Sequence, residues 1–288
     1  MAEPKRGRAL PRPLLIASYP LGVILLTLFF VYLGFPYDLL VARLSQPLEA
    51  VTATRVTIGD VGPHVSLLGP GIEMRDIRTS PVREGGRSFV IDRIFVRPAW
   101  SLSWITLTPA LHLDLASAIG SATGTISLGT DGGFEGQLRG VRVGSLPVSS
   151  WLASVDVDGT LDATIDLQRG GDESGGGLIG DVRFDLIDGS VAGPAFPIAL
   201  PFTSLGGDLR FGATGALVST ENIALEGPVL AATIEGRIGE SPVPGSQPLE
   251  VDVTYEVRDE MIAAMLGGSR GGPTRLEVGG TLASPVVR

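Results

Sequence analysis

The stretch from Val155 to Gln168 alternates strictly. Its odd positions read Val155, Val157, Gly159, Leu161, Ala163, Ile165 and Leu167, and its even positions Asp156, Asp158, Thr160, Asp162, Thr164, Asp166 and Gln168. Successive side chains of a β-strand point to opposite faces, so this run has one apolar face and one acidic or hydroxylic face. It is far longer than the usual strand of about five or six residues. The pattern predicts a strand of a broad antiparallel sheet with one wet face.

The same period of two recurs along the chain. Val56 and Ile58 alternate with Arg55, Thr57 and Gly59. Phe89, Ile91, Ile94 and Val96 belong to a strand closed by Pro98, and Leu111, Leu113 and Leu115 alternate with His112 and Asp114. Ile126 and Leu128 precede Asp131-Gly132-Gly133, which reads as a hairpin turn into residues 134–143. After a Gly-rich tip at 169–177, a strand returns over 178–187, and others are predicted near 203–211, 215–225, 229–238, 249–257 and 274–282. Gly124-Thr-Ile-Ser-Leu128, Gly159-Thr-Leu-Asp-Ala163, Gly207-Asp-Leu-Arg-Phe211 and Gly280-Thr-Leu-Ala-Ser284 recur at uneven spacing, as from one hairpin-like unit reused to extend a single sheet. Short helices are predicted at Trp100–Ile105 and Arg258–Leu266, the second ended by Gly267-Gly268.

The N-terminal end has a different character. No charged residue lies between Arg12 and Asp38. An apolar helix of about 20 residues matches the hydrocarbon thickness of a bilayer, so residues 14–35 are predicted to be a transmembrane helix. Lys5, Arg6, Arg8 and Arg12 against Glu3 place the basic flank, residues 1–13, in the cytoplasm. Residues 36–48 form a juxtamembrane linker, with apolar positions 37, 40, 41 and 44 spaced as on a short amphipathic helix. Residues 49–288 then form a β-rich domain beyond the membrane. The expected fold class is mainly β: one N-terminal transmembrane helix followed by a large, curved antiparallel sheet, groove- or sandwich-like, with a few short helices.

Composition narrows the function. The net charge is −9, of which the first twelve residues contribute +3 (four cations less Glu3), leaving −12 on the remainder. That excludes nucleic acid as the expected partner. Cysteine is absent, which removes thiolate metal sites, and His64 and His112 are the only histidines.

Motifs that carry chemistry are weak. Asp156-Val-Asp158-Gly-Thr160-Leu161 matches the Asp-x-Asp-Gly-Thr-Leu pattern of haloacid-dehalogenase-like phosphatases, with Asp181 and Asp185 spaced like their metal-binding pair. That chemistry needs both aspartates in a sharp loop after a buried strand, with a lysine partner. Here alternation runs through the motif, and Lys5 is the only lysine. Asp156, Asp158, Asp162 and Asp166 project too far apart along one strand face for a calcium cage. Ser149 and Ser150 lack a nucleophile elbow, and Gly170-Gly171 and Gly175–Gly177 lack the lysine of a phosphate loop. The expectation is a protein that is no enzyme, with no catalytic, cofactor-binding or metal-binding residues.

The basic start, the apolar run ending in Phe35-Pro36-Tyr37-Asp38, Ile91-Asp-Arg-Ile-Phe-Val-Arg-Pro98 with the Trp/Leu stretch after it, and the closing Gly279-Gly-Thr-Leu-Ala-Ser-Pro285 resemble the protein N family of the bacterial type II secretion system. The last motif is shared with the wider AsmA/TamB-like group of periplasmic β-groove proteins. The resemblance implies a single-pass inner-membrane component with its β-domain in the periplasm, acting as a scaffold. Its implied partners are the inner-membrane assembly and the secretin. The AsmA-like side of the resemblance implies the alternative of a groove that binds or transfers lipid. It brings no catalytic residue and no cofactor.

Overall fold

The computed structural model describes residues 12–37, 39, 41, 54–81, 88–99, 108–129, 132–146, 156–170, 177–193, 196–212, 216–241, 246–259, 272–282 and 284–287. One helix, α1 (Arg12–Leu33), precedes the strands β1 (Thr54–Thr57), β2 (Asp60–Ser66), β3 (Gly69–Pro81), β4 (Phe89–Pro98), β5 (Ala110–Ser117), β6 (Gly120–Ser127) and β7 (Gly133–Arg142). A 3₁₀ turn at Val143–Ser145 leads to β8 (Asp156–Arg169), β9 (Leu178–Gly193), β10 (Phe196–Phe211), β11 (Val218–Glu226), β12 (Leu230–Ile238), β13 (Leu249–Val257), β14 (Thr274–Thr281) and β15 (Ser284–Val287).

All fifteen strands belong to one antiparallel sheet, in the order β1-β3-β4 and onward to β15, with β2 also on β3. Each strand from β3 on pairs with its neighbour in sequence, because short turns return an alternating segment beside the one before it. Two of these turns share one device. In Ser66-Leu67-Leu68-Gly69 the serine hydroxyl donates to the Gly69 carbonyl (3.0 Å) and accepts from the Leu68 amide (3.2 Å). In Ser117-Ala118-Ile119-Gly120 the same bonds measure 3.0 and 3.3 Å. Gly69 and Gly120 take φ of 122° and 140°, which a side chain would resist.

The groove-or-sandwich alternative resolves toward a single layer, since among the described residues no second sheet packs on the first. The buried core is accordingly small and falls in two clusters. One joins Tyr37, Val56, Ile58, Val61 and Ile77 where the chain leaves α1 and enters the sheet. The other joins Val143, Leu186 and Phe202, with Val157, Leu161 and Leu205 against them. The second sits where the sheet bends. Register shifts fall between Leu138 and Val141, Asp158 and Thr160, Gly206 and Leu209, and Thr220 and Ile223, in the β7/β8, β8/β9, β10/β11 and β11/β12 pairings. Bulges of this kind bend and twist the strands that carry them.

The alternation of the Val155–Gln168 segment holds over the described Asp156–Gln168: Val157, Gly159, Leu161, Ala163, Ile165 and Leu167 are the less exposed positions and the four aspartates are exposed, while the extra residue at the register shift lies on β9. One expectation needs correction. The expected single-pass inner-membrane placement is overturned, because among the described residues no helix is long and apolar enough to cross a membrane. Pro20 lies inside α1, where it removes a backbone hydrogen bond. In the predicted 36–48 segment Pro36 and Tyr37 are not helical and Leu39 and Val41 are, but its other residues, the Trp100–Ile105 helix and nearly all of the Arg258–Leu266 helix lie outside the described residues. Arg258 and Asp259 themselves are not helical.

Candidate binding surface

Residues directly opposite each other on paired antiparallel strands share a face, so the register carries a row of side chains across the sheet. Val61 faces Met74, Met74 faces Ile94, and Ile94 faces Leu115. The row continues through Ala122, Leu138, Ala163 and Phe184. On the far side of the bend, Ile223, Ile234, Val253 and Leu276 prolong the same apolar face. Apart from Val61 and Ala163, these side chains are partly exposed rather than buried.

The reverse face is polar and stitched across strands. Arg183 Nε lies 2.7 Å from Asp208 Oδ1, Arg210 Nη1 3.3 Å from Glu221 Oε1, Arg237 Nη2 2.7 Å from Glu250 Oε2, and Arg275 Nη2 2.9 Å from Asp252 Oδ2. Arginine forks suit carboxylates on neighbouring strands. These pairs are solvated, so they set register more than they add stability. The hydrogen bonds to Asp208 and Asp252 raise the already high pKa values of Arg183 and Arg275.

The polar residues singled out from the sequence are spread along this face. Asp158 opposes Ser190, whereas Asp181 and Asp185 oppose Asp166 and Asp162. Along β9, Ser190 is five residues from Asp185 and nine from Asp181, about 16 and 30 Å at 3.3 Å per residue. The aspartates of the phosphatase-like pattern and the two that would bind its metal therefore do not converge. Asp158 Oδ1 instead accepts from the Gly159 amide (2.9 Å), and Asp162 Oδ1 from that of Gly140 (2.8 Å). Among the described residues no group of three His, Asp or Glu could hold a metal ion. Ser149 and Ser150 lie outside the described residues.

The histidines are better connected than their sequence context implied. His64 Nδ1 lies 3.1 Å from Glu73 Oε2, and its ring meets that of Phe95 edge to face at 5.2 Å. Arg75 Nη2 donates to the same glutamate oxygen at 2.8 Å, and Arg93 stands 3.9 Å from the other. Glu73 is 7% exposed. The Arg75 hydrogen bond holds its carboxyl below the ordinary range although burial pushes the other way. His112 lies 3.3 Å from Thr125 Oγ1 and 3.5 Å from Asp114 Oδ1. Sequence reasoning missed Glu73 because the partners that make it buriable come from three strands, and only the register unites them.

Compared with protein-family models, curated proteins and solved structures, the chain matches none.

Proposed function

We propose that the chain is a non-enzymatic scaffold of the type II secretion machinery, working through a sheet that other secretion proteins join or lie against. The observation that carries this reading is the open meander. Among the described residues no strand pairs beyond β15, and a sheet edge of this kind suits strand addition. The resemblance noted in the sequence supplies the machine, and the acidic outer face supplies a surface for partners of opposite charge. Photo-crosslinkers placed along Asp156–Leu167 and at Arg275 test it in cells that carry the secretion system. Adducts with secretion proteins are the expected result, and none from any position would end the proposal.

A second reading rests on the apolar face. A sheet whose apolar side chains run in register across more than ten strands, with no second layer over them among the described residues, leaves a surface suited to acyl chains. Native mass spectrometry of the purified chain separates the two. Stoichiometric phospholipid favours the groove, and a lipid-free chain that still crosslinks favours the scaffold.

A further inference from the structure

The β2–β3 hairpin ends in Ser66-Leu67-Leu68-Gly69, and its apolar side chains face water: Leu67 is 106% exposed, Leu68 64% and Val65 62%. Tight turns ordinarily carry Gly, Asn, Asp, Pro or Ser. Here the Ser66 bonds fix the turn and hold both leucines outward. The tip also has an apolar neighbour. The Tyr32 hydroxyl lies 3.0 Å from the His64 carbonyl and 2.5 Å from that of Gly71, which clamps the end of α1 to the hairpin just behind its tip.

Along α1, Val23, Ile24, Leu26, Phe29, Phe30 and Val31 are all exposed. At about 100° per residue these side chains spread over roughly 220° of the helix circumference. A groove on a protein covers one side of a helix, whereas an apolar arc wider than half the circumference suits a surrounding apolar medium. Hairpin tip and helix thus both present apolar side chains to their surroundings and are joined through Tyr32, whose amphipathic ring suits a lipid–water boundary.

We propose that the β2–β3 hairpin tip inserts into the surface of a lipid bilayer, with Leu67 and Leu68 reaching the headgroup–acyl boundary. This is contact with one leaflet, of the shallow kind that buries apolar groups about 5–10 Å deep, and it requires no helix that crosses.

The chain has no cysteine, so one introduced thiol labels one site. The full chain carrying Leu67→Cys with an environment-sensitive fluorophore is mixed with phosphatidylcholine vesicles, with and without doxyl groups near the headgroup. A blue shift and doxyl quenching are expected at position 67. Neither is expected for the same label introduced by Ala118→Cys, in the serine-held turn at the opposite end of β5. Replacing both leucines (Leu67→Asn with Leu68→Asn) should weaken vesicle partition at least about tenfold, since each loses the burial of a large aliphatic side chain. A chain that floats with vesicles while the label at 67 stays unquenched overturns the proposal, as does quenching that is equal at 118. A shift at 67 that appears without vesicles and grows with protein concentration overturns it too, assigning the tip to a second copy of the chain.

Discussion

Phe202 in β10 lies with its ring over Gly189 in β9, the residue directly opposite. A Cβ added at Gly189 would meet the Asp158 carbonyl oxygen across the ladder first, then Phe202 Cζ, with Phe202 Cε2 at 2.9 Å. The aromatic ring occupies the space that the missing side chain leaves, next to the line where the sheet bends. Phe202 is 3% exposed and packs with Leu186 and Val143. Phe202→Ala should therefore cost about 3–5 kcal/mol, and Gly189→Ala about 1–3 kcal/mol from overpacking, both read by denaturant unfolding. The double variant should lose somewhat less than the two single losses together, because removing the ring relieves its share of the clash while the Asp158 carbonyl remains. A double loss larger than the sum would mean that the ring and the glycine do not share the space.

Asp188, next to Gly189, stands at φ 51°, where L-residues with bulky or branched side chains are strained. It is the extra residue of β9 that shifts the register against β8, so the bend depends on it. Asp188→Gly and Asp188→Asn should leave the unfolding midpoint nearly unchanged or raise it. Asp188→Val should destabilise by about 1–3 kcal/mol. Equal stability of the Gly and Val variants would show that this backbone is not held in the left-handed region.

Alternation located most of the strands, those expected at 229–238 and 249–257 being Leu230–Ile238 and Leu249–Val257, but not β2 or β15. Period two fixes which residues share a face but is silent about an extra residue that reverses the phase, as at Asp188 on β9. Three of the four recurring glycines turn out to stand at irregular backbone: Gly159 and Gly280 have positive φ, and Gly207 lies within a register shift. Gly124 instead makes room for Phe134, whose ring carbon would lie 2.7 Å from an added Cβ. The recurrence thus marks bends and close packing as well as hairpins. Glu73 and the exposed leucine tip were hidden for a different reason, since both depend on neighbours that only tertiary pairing supplies.

The Glu73 site sets a pH response. Its carboxyl titrates below the ordinary glutamate value, chiefly through the Arg75 hydrogen bond. The native state therefore favours the anion more than the unfolded chain does. That contribution is fully present above the unfolded value of about 4.3 and is lost as pH falls through the lower native value. Below about pH 4.3 the wild type should lose thermal stability more steeply than Glu73→Gln, which has no proton to take up there. At neutral pH Glu73→Gln should be the less stable of the two, because Arg75 and His64 lose their anionic partner. Parallel melting curves from pH 6 to pH 3, about the range that brackets the carboxyl values, would show that the site is energetically idle.

The junction between α1 and the sheet rests on two phenols in series. Tyr37 donates to the Tyr32 carbonyl (2.6 Å) while the Tyr32 hydroxyl reaches the hairpin carbonyls of His64 and Gly71. Tyr37 is itself 8% exposed within the cluster of Val56, Ile58, Val61 and Ile77, and its pKa is raised by burial and then by Tyr32. The two hydroxyls therefore serve different joints. Tyr32→Phe removes bonds between helix and hairpin and leaves that cluster intact, so global stability should fall by only about 0.5–1.5 kcal/mol. The distance distribution between spin labels introduced by Leu26→Cys and Leu67→Cys should broaden all the same. Tyr37→Ala removes core packing and should cost about 3–5 kcal/mol, as other large aromatic truncations do. A Tyr32→Phe chain whose label distances stay as narrow as in the wild type would show that the hydroxyl does not hold the helix to the hairpin.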